Sequence, residues 1–597
     1  MQRRSEVATE LKWDLSPLYA DQQAYEADLE NLQKDTEEFV KLYSELPTTV
    51  EGMIEALDKY CKLLEKSMLL GNYVTLRSSV DQGDPERQKQ VGKFYMLYGS
   101  ISAKLSNFQS QFYRLDSEFL DKIAAAAPGY QKFIEHVHKQ KKHILSSEVE
   151  EVLSKLSPIT SSFDNQYEQL KLADMHFPDF TVDGKTYPLS FVLYENKYQY
   201  DPDIKIRREA FRVFSETLRL YNNGIAHNYA THVNHEKIMS QMRGYDSVFD
   251  YLLQAQHVDI SLYDRQIDLI MNELAPHMRR YAKILQQAHN IDEMHFADLK
   301  ISLDPELSPS VTYDEAWEYA VEGLAVLGKE YVEEFVEKAR RERWCDFAQN
   351  VGKSTGGFCA TPYGSHSYIL LNWNSLLSDV FTLVHELGHA GHFGLANTHN
   401  NILQSDCSLY FVEAPSTCNE MLLNNYLYQQ AKDDRFRRWV LATGIANTYF
   451  HNFVTHLLEA DFQRKVYRLV DQGEMMTADT LNQLKRETLE KFWGDAVVIE
   501  DGAELTWMRQ PHYYYGLYSY TYSAGLTIST MVSQQILAEG QTAVDRWLEV
   551  LKRGGSLDPL ELAQLANVDV STDQPLRDTI AHIGGMIDKI EELTAKL

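Results

Sequence analysis

Residues 379–393 read DVFTLVHELGHAGHF and contain the pattern HExxH. The apolar residues of this segment recur at the spacing of a helix that is buried on most of its surface. His385 and His389 are four residues apart, so a helix places both imidazoles on one face, where they can bind a single tetrahedral zinc ion. Glu386 lies beside them and is suited to take a proton from a water molecule at the metal. The segment therefore predicts a metal site on a buried helix.

A zinc ion held by two histidines and a water molecule has room for one more protein ligand. A metzincin pattern needs glycine and histidine where this sequence has His392 and Leu395, which excludes that class. A glutamate from a second helix is the other common solution, and Glu413 and Glu420 are seven residues apart, on one helical face. We assign Glu413 as the third ligand and expect Glu420 or Asp406 to orient a histidine N–H. Either glutamate could instead be a solvated charge on a helix surface.

The composition limits the class of protein and its partners. Of 597 residues, 44% are hydrophobic and 24% charged, as in ordinary soluble globular proteins. The net charge of −28 argues against nucleic acid or an anionic membrane as a partner. Five cysteines without a CxxC pair argue against a disulfide framework, and no segment has the pattern of a signal peptide or a membrane span. We predict a soluble cytoplasmic protein, and the sequence implies no oligomeric state.

Helical periodicity dominates the chain on both sides of one interruption. It runs from about residue 21 to 175 and resumes from about 203 to 345. Between these regions, Asp183-Gly184 favours the tight turn of a β-hairpin. We place a domain boundary here, with an N-terminal helical domain at 1–190 and the domain that holds the metal site at 191–597.

A short strand is predicted just before the HExxH helix. The segment 361–374 reads TPYGSHSYILLNWN, which combines turn residues with an apolar run. The chain is therefore predicted to be mostly α, with a small β-sheet beside the helix that binds the metal.

A dense cluster of tyrosines is the second notable feature. Residues 509–525 read RQPHYYYGLYSYTYSAG, with six tyrosines between residues 513 and 522, where the average of 36 in 597 would give fewer than one. Tyr515, Tyr518 and Tyr522 fall on a helical stripe that packing alone could explain. Buried phenols need hydrogen-bond partners, however, and six of them beside His512 are an unusual concentration of donors. The cluster is therefore a candidate part of the site.

The sequence resembles the oligopeptidase F family, bacterial relatives of thimet oligopeptidase with an HExxH zinc site. HELGH is followed 24 residues later by the glutamate of FVEAPS. The resemblance extends over nearly the whole chain, and the other segments that carry it are WDLSPLY (13–19), GKSTGGFC (352–359), YILLNWN (368–374) and RGGSLDPLEL (553–562).

This resemblance implies two helical lobes around a deep substrate channel, with the zinc on its floor and a small sheet along one wall. The residues implied to bind one zinc ion per chain are His385, His389 and Glu413. Glu386 is implied to be the general base. The residues implied to stabilise the negatively charged oxygen of the intermediate are His512, Tyr515 and Tyr522.

The expected function is cleavage of short peptides in their interior by a zinc-dependent endopeptidase. The strand Tyr368, Ile369 and Leu370 is expected to pair with the substrate backbone by edge addition, and Tyr518 and Tyr520 are expected to contact the substrate. Two alternatives stay open, a zinc carboxypeptidase of similar helical fold and a zinc-stabilised protein that binds peptides without cutting them. The general base argues against the second, because a structural metal needs only ligands.

Overall fold

The computed structural model describes residues 2–597, and this part of the chain is mostly helical. It contains 24 α-helices and five short β-strands. None of these helices combines the length and the apolarity that crossing a lipid bilayer requires. The predicted mostly-α fold class is confirmed. The division into two lobes around a channel stays a prediction.

The helices of the N-terminal region are α1 (Gln22–Leu42), α2 (Val50–Ser79), α3 (Pro85–Tyr113), α4 (Ser117–Ala126), α5 (Gln131–Gln140), α6 (Ser147–Thr160) and α7 (Phe163–Gln169). A hairpin follows, formed by β1 (Phe180–Val182) and β2 (Lys185–Tyr187). The central helices are α8 (Phe191–Asn196), α9 (Ile204–Met242), α10 (Val248–Gln254), α11 (Ile260–Leu269), α12 (Ala275–Ala288), α13 (Tyr313–Leu324), α14 (Lys329–Val332) and α15 (Lys338–Arg341).

Three more strands precede the HExxH helix, and they are β3 (Cys345–Asp346), β4 (Phe358–Ala360) and β5 (Tyr368–Leu370). The remaining helices are α16 (Leu377–His399), α17 (Leu409–Gln430), α18 (Asp434–Thr443), α19 (His456–Asp471), α20 (Ala478–Trp493), α21 (Thr521–Glu539), α22 (Gln541–Arg553), α23 (Pro559–Leu565) and α24 (Gln574–Thr594). Helices α18 and α19 are joined without a break by a π-helical segment, Gly444–Thr455.

The hairpin has the predicted turn. Strands β1 and β2 are antiparallel, with Phe180 opposite Tyr187. Asp183 and Gly184 connect them, with φ angles of 48° and 78°. A two-residue turn with both φ angles positive matches the right-handed twist of the flanking strands, which is why this dipeptide favours a hairpin.

The second sheet lies beside α16 and has the order β3-β5-β4. Strand β5 is central, parallel to β3 and antiparallel to β4. Alternate side chains of a strand point to opposite faces. Accordingly, Tyr368 and Leu370 join an apolar core built mainly from residues 13–137, whereas Ile369 joins the larger core formed by residues 167–593. The sheet therefore lies between the two cores, and the predicted boundary at residue 190 stays a prediction.

Glycines let helix α17 pack unusually close to two neighbours. A Cβ atom added at Gly388 on α16 would lie 2.6 Å from the carbonyl oxygen of Pro415 on α17. One added at Gly525 on α21 would lie 3.0 Å from backbone atoms of Glu413 and Ala414. Because both contacts are to backbone, these helices could not approach so closely with larger residues. The close crossing brings the carboxylates of α17 within reach of the histidines of α16.

Candidate active site

Helix α16 holds the HExxH residues on one face and buries the other. The apolar residues predicted to be buried are at most 3% exposed, and they are Val380, Phe381, Leu383, Val384 and Leu387. The rings of His385 and His389 lie 5.0 Å apart at 80° to each other. His392 is fully buried and packs against the ring of Phe411, so it belongs to the core.

Glu413 of α17 meets both histidines. Its Oε2 atom lies 3.4 Å from Nε2 of His385 and 3.4 Å from Nε2 of His389. In a tetrahedral zinc site with metal–ligand distances of about 2.0–2.1 Å, ligand atoms are about 3.3–3.4 Å apart. The three residues therefore have the chemistry and the spacing to hold one such ion.

Glu420 orients His385 from the opposite side of its ring. Its Oε1 atom lies 2.6 Å from Nδ1 of His385, which leaves Nε2 to face Glu413. Glu420 also accepts a hydrogen bond from the hydroxyl of Thr448 in the π-helical segment. Glu413 is held in a similar way, since its Oε2 accepts a 2.9 Å hydrogen bond from the hydroxyl of Ser416. Carboxylate–histidine pairs of this kind are typical partners of metal ligands.

The charges of this group favour a cation. Burial alone would lower the pKa of His385, but the hydrogen bond that this imidazole donates to Glu420 and the nearby carboxylates raise it to about 10. Burial alone would raise the pKa of Glu413, but the adjacent imidazoles lower it to about 2. The carboxylates therefore stabilise positive charge at the point where the three side chains meet.

Glu386 lies next to this charge cluster and interacts with all of its members, but burial has the largest effect on it. Only 5% of the residue is exposed, and burial is the main cause that raises its pKa. Gly357, next to strand β4, leaves room beside the carboxylate, because a Cβ atom there would lie 3.1 Å from Oε1 of Glu386. A buried carboxylate with a raised pKa is a better proton acceptor than a solvated one, as a general base requires.

A cavity of about 1030 Å³, here called the central cleft, opens over these residues. Its walls come from the loop 299–308, the start of β4, helices α16 and α17, the π-helical segment, and the tyrosine region. His385, Glu386, His389 and Glu413 all line it. The metal-binding group and the candidate base therefore face one space that is large enough for several peptide residues.

Two predicted residues of the tyrosine region come together here, and of the two only Tyr522 is among the described residues that line the cleft. The hydroxyl of Tyr522 lies 3.3 Å from Nε2 of His512. Burial, reinforced by the neighbouring His456, lowers the pKa of His512 to about 4, and burial raises the pKa of Tyr522. Both side chains are therefore neutral donors near pH 7. Tyr518 also lines the cleft, with its ring 5.2 Å from that of Tyr522.

The other two tyrosines are not where they were expected. Tyr515 is 53% exposed. It comes directly after the short 3₁₀ turn Pro511–Tyr514. Tyr520 is fully buried, and its hydroxyl donates a 2.7 Å hydrogen bond to Oε1 of Gln256. Neither is among the described residues that line the central cleft. Their assignments to the intermediate and to the substrate are corrected accordingly.

The predicted roles of Asp406 and of strand β5 are also corrected. Asp406 is exposed in the loop between α16 and α17, and within residues 2–597 it bonds to neither histidine, so Glu420 alone is placed to orient one. Tyr368, Ile369 and Leu370 are fully buried, and both edges of their strand are already paired. An added strand needs a free edge. The two edge strands of this sheet are β3 and β4, and of these β4 lines the cleft, through Phe358 and Cys359.

A group of buried residues behind Tyr522 was not predicted. The ring of His456 stacks on that of Tyr522 at 4.1 Å and 14°, and its Nδ1 lies 2.8 Å from Oε2 of Glu459. The Nε2 atoms of His456 and His451 are 3.1 Å apart. These histidines are five residues apart, a spacing that reaches one face only in a π-helix, whose hydrogen bonds join residues five apart. A search at α-helical spacing therefore could not find them.

Comparison with known proteins identifies a peptidase family. The model of peptidase family M3 matches residues 197–582, and the model described as oligopeptidase F matches residues 112–177. The chain is 28% identical to oligopeptidase PepF of Bacillus subtilis, over 100% of this chain and 89% of that protein. It is 26% identical to an oligoendopeptidase F homolog of Borreliella burgdorferi, over 99% of this chain and 100% of that one.

The fold has also been seen in crystals. The structure of oligoendopeptidase-F from Enterococcus faecium superposes with a TM-score of 0.76, covering 96% of this chain and 99% of that one at 22% identity. The resemblance drawn from the sequence is thus confirmed: the chain belongs to peptidase family M3 and is a metallo-oligopeptidase.

Proposed function

We propose that the chain is a zinc-dependent endopeptidase that cleaves short peptides in their interior. The observation that carries this proposal is the meeting of His385, His389 and Glu413 beside Glu386 in the central cleft. Two imidazoles and one carboxylate suit zinc, and they leave a fourth position open, as in catalytic rather than structural zinc sites.

The chemistry divides between the metal and the residues of this chain. A zinc ion, when bound, supplies Lewis-acid polarisation and lowers the pKa of water from 15.7 to about 7. Glu386 takes the proton of the attacking water and later delivers it to the nitrogen of the leaving amine. Its buried position beside Gly357 keeps bulk water from competing for that proton.

The opposite wall of the cleft stabilises the charge that develops on the carbonyl oxygen. Tyr522 and His512 are neutral donors held 3.3 Å apart, and each donor aimed at this oxygen is worth about 3 kcal/mol. Stacking of Tyr522 on His456 fixes the phenol ring before the substrate arrives. The stabilisation therefore needs little rearrangement during the reaction.

The substrate backbone can be bound along strand β4. Phe358–Ala360 forms an edge of the sheet, and Phe358 and Cys359 line the cleft. Backbone hydrogen bonds to an edge strand do not depend on the side chains of the peptide. This arrangement suits an enzyme that accepts many sequences.

The test uses quenched fluorescent peptides blocked at both ends, in a series of increasing length. We expect internal cleavage, located by mass spectrometry, that disappears with a chelator and returns with stoichiometric zinc. A carboxypeptidase would leave the blocked peptides intact and shorten only those with a free C-terminus. A protein that binds peptides without cutting them would retain the peptides uncut, and either outcome would overturn the proposal.

A further inference from the structure

A second, smaller cavity adjoins the central cleft. It encloses about 70 Å³, enough for a group the size of a carboxylate but not for a length of peptide. It shares Leu299, Lys300, Phe450 and Thr455 as walls with the central cleft. We call it the cationic cavity, because Lys300, Lys485 and Arg509 all line it.

The two lysines of the cationic cavity have no direct ion pair among the described residues. Lys485 on α20 is only 3% exposed, yet within residues 2–597 its ammonium has no hydrogen bond and no ion pair. Its nearest aromatic contact is the ring of Phe462, at 5.9 Å. Lys300 likewise has no ion pair in the described part of the chain, whereas Arg509 is paired with Glu195 at 3.1 Å. Two ammonium groups therefore line the cavity without a direct ion pair, and nearby carboxylates, chiefly Glu459 for Lys485 and Glu195 for Lys300, offset their charge only at longer range.

The one acid that lines the cationic cavity is already engaged. Oε2 of Glu459 lies 2.8 Å from Nδ1 of His456 and accepts a 3.3 Å hydrogen bond from the hydroxyl of Ser519. A further donor is free, since the indole N–H of Trp493 is buried and finds no acceptor among the described residues. The cavity thus has three cationic side chains and a free indole donor facing one carboxylate, whose Oε2 is already hydrogen-bonded to other residues.

An unpaired buried ammonium is expensive, because it loses its hydration and gains nothing in return. Burial is the main cause that lowers the pKa of both lysines, in each case to about 8, so most of each remains protonated at pH 7. A ligand that brings negative charge would remove this cost. A planar group with two acceptor oxygens fits the cavity and its donors.

We propose that the cationic cavity is a subsite for a carboxylate of the bound peptide, held by Lys485 and Lys300. The position supports this, since Oε2 of Glu459 lies 3.9 Å from Nδ1 of His512, which contacts Tyr522. The side chain of Glu459 therefore separates the cavity from His512, which with Tyr522 is proposed to face the reacting carbonyl. The carboxylate belongs either to the C-terminus of the peptide or to an acidic side chain, and the inference rests on the proposed peptidase function.

The experiment compares matched peptides in two arms. One arm pairs a free C-terminus with an amidated one, and the other pairs Glu with Gln at each position around the cleavage site. For each pair, the ratio of kcat/KM values is measured in the wild type, in Lys485→Met and in Lys300→Met. Lys491→Met is the matched control, because Lys491 lies on the same helix and is exposed.

In the wild type we expect at least one arm to favour the carboxylate tenfold or more. Lys485→Met and Lys300→Met should each reduce that ratio by about 10- to 100-fold, the usual effect of losing a charged hydrogen bond, whereas Lys491→Met should keep it. Thermal melting shows which variants are folded. If only one of the two cavity variants, Lys485→Met and Lys300→Met, is folded, that variant alone is sufficient for the test. The subsite proposal would be overturned by wild-type ratios near one in both arms. It would also be overturned if the lysine variants lost kcat/KM equally for both peptides of each pair. Failure to cut any peptide would instead overturn the proposed function.

Discussion

The two walls of the central cleft are built from different kinds of interaction. On one wall, α16 and α17 hold charged groups, and short hydrogen bonds fix two of them, between His385 and Glu420 and between Glu413 and Ser416. On the other wall, Tyr522 and His512 are neutral and are fixed by ring contacts with His456. In the function proposed here, the first wall holds a cation, and the second presents neutral donors to an anion that exists only during the reaction.

This difference predicts how mutations on the two walls behave. A change on the charged wall should affect metal binding, proton transfer or both. Metal binding can be measured without substrate, whereas proton transfer is measured through the rate of peptide cleavage. A change on the neutral wall should leave the metal in place and affect only the rate of the chemical step. The variants below separate these effects.

The largest effect is expected for Glu386→Gln. This residue lines the cleft but is not among the three groups that meet at the metal position, so the variant should retain zinc. Loss of a general base should lower kcat by about 10³- to 10⁴-fold. Metal content by elemental analysis and kcat on a blocked peptide measure the two quantities. Glu322→Gln, at an exposed position on α13, is the control and should change neither. Turnover within tenfold of the wild type would refute the role of the base.

A smaller effect is expected for Tyr522→Phe. Removal of one donor to the developing charge should lower kcat about 100-fold, equal to about 2.7 kcal/mol, with KM and zinc content little changed. Tyr515→Phe is the matched control in the same segment, because the exposed Tyr515 should alter kcat less than about twofold. A rise in KM with unchanged kcat in Tyr522→Phe would assign Tyr522 to substrate binding instead.

The same contrast explains how much the sequence could predict. On the charged wall, the regular geometry of a helix relates sequence spacing to side-chain direction. A spacing of four from His385 to His389 and of seven from Glu413 to Glu420 is therefore enough to place each pair on a common face. The helical fold and the hairpin at Asp183-Gly184 followed from periodicity and turn chemistry in the same way.

The neutral wall lacks such a rule. Residues 511–520 form short turns rather than a continuous helix, so a helical stripe through Tyr515, Tyr518 and Tyr522 does not describe where these side chains point. Strand β5 shows a related limit of sequence analysis. Its apolar run predicts a strand, but its central position in the sheet depends on pairing with β3 and β4, which spacing alone does not specify.

The smallest of these effects is expected for Glu420→Gln. Glutamine can still accept a hydrogen bond from Nδ1 of His385, but it lacks the charge that makes this imidazole a better ligand, so zinc affinity should fall about 10- to 100-fold. Thr448→Val removes only the hydroxyl that supports Glu420, and it should weaken zinc binding less. Competition with a chelator measures both affinities without reference to activity. Equal zinc affinity in Glu420→Gln and the wild type would mean that the charged wall is held by packing, as the neutral wall is, and the contrast between them would disappear.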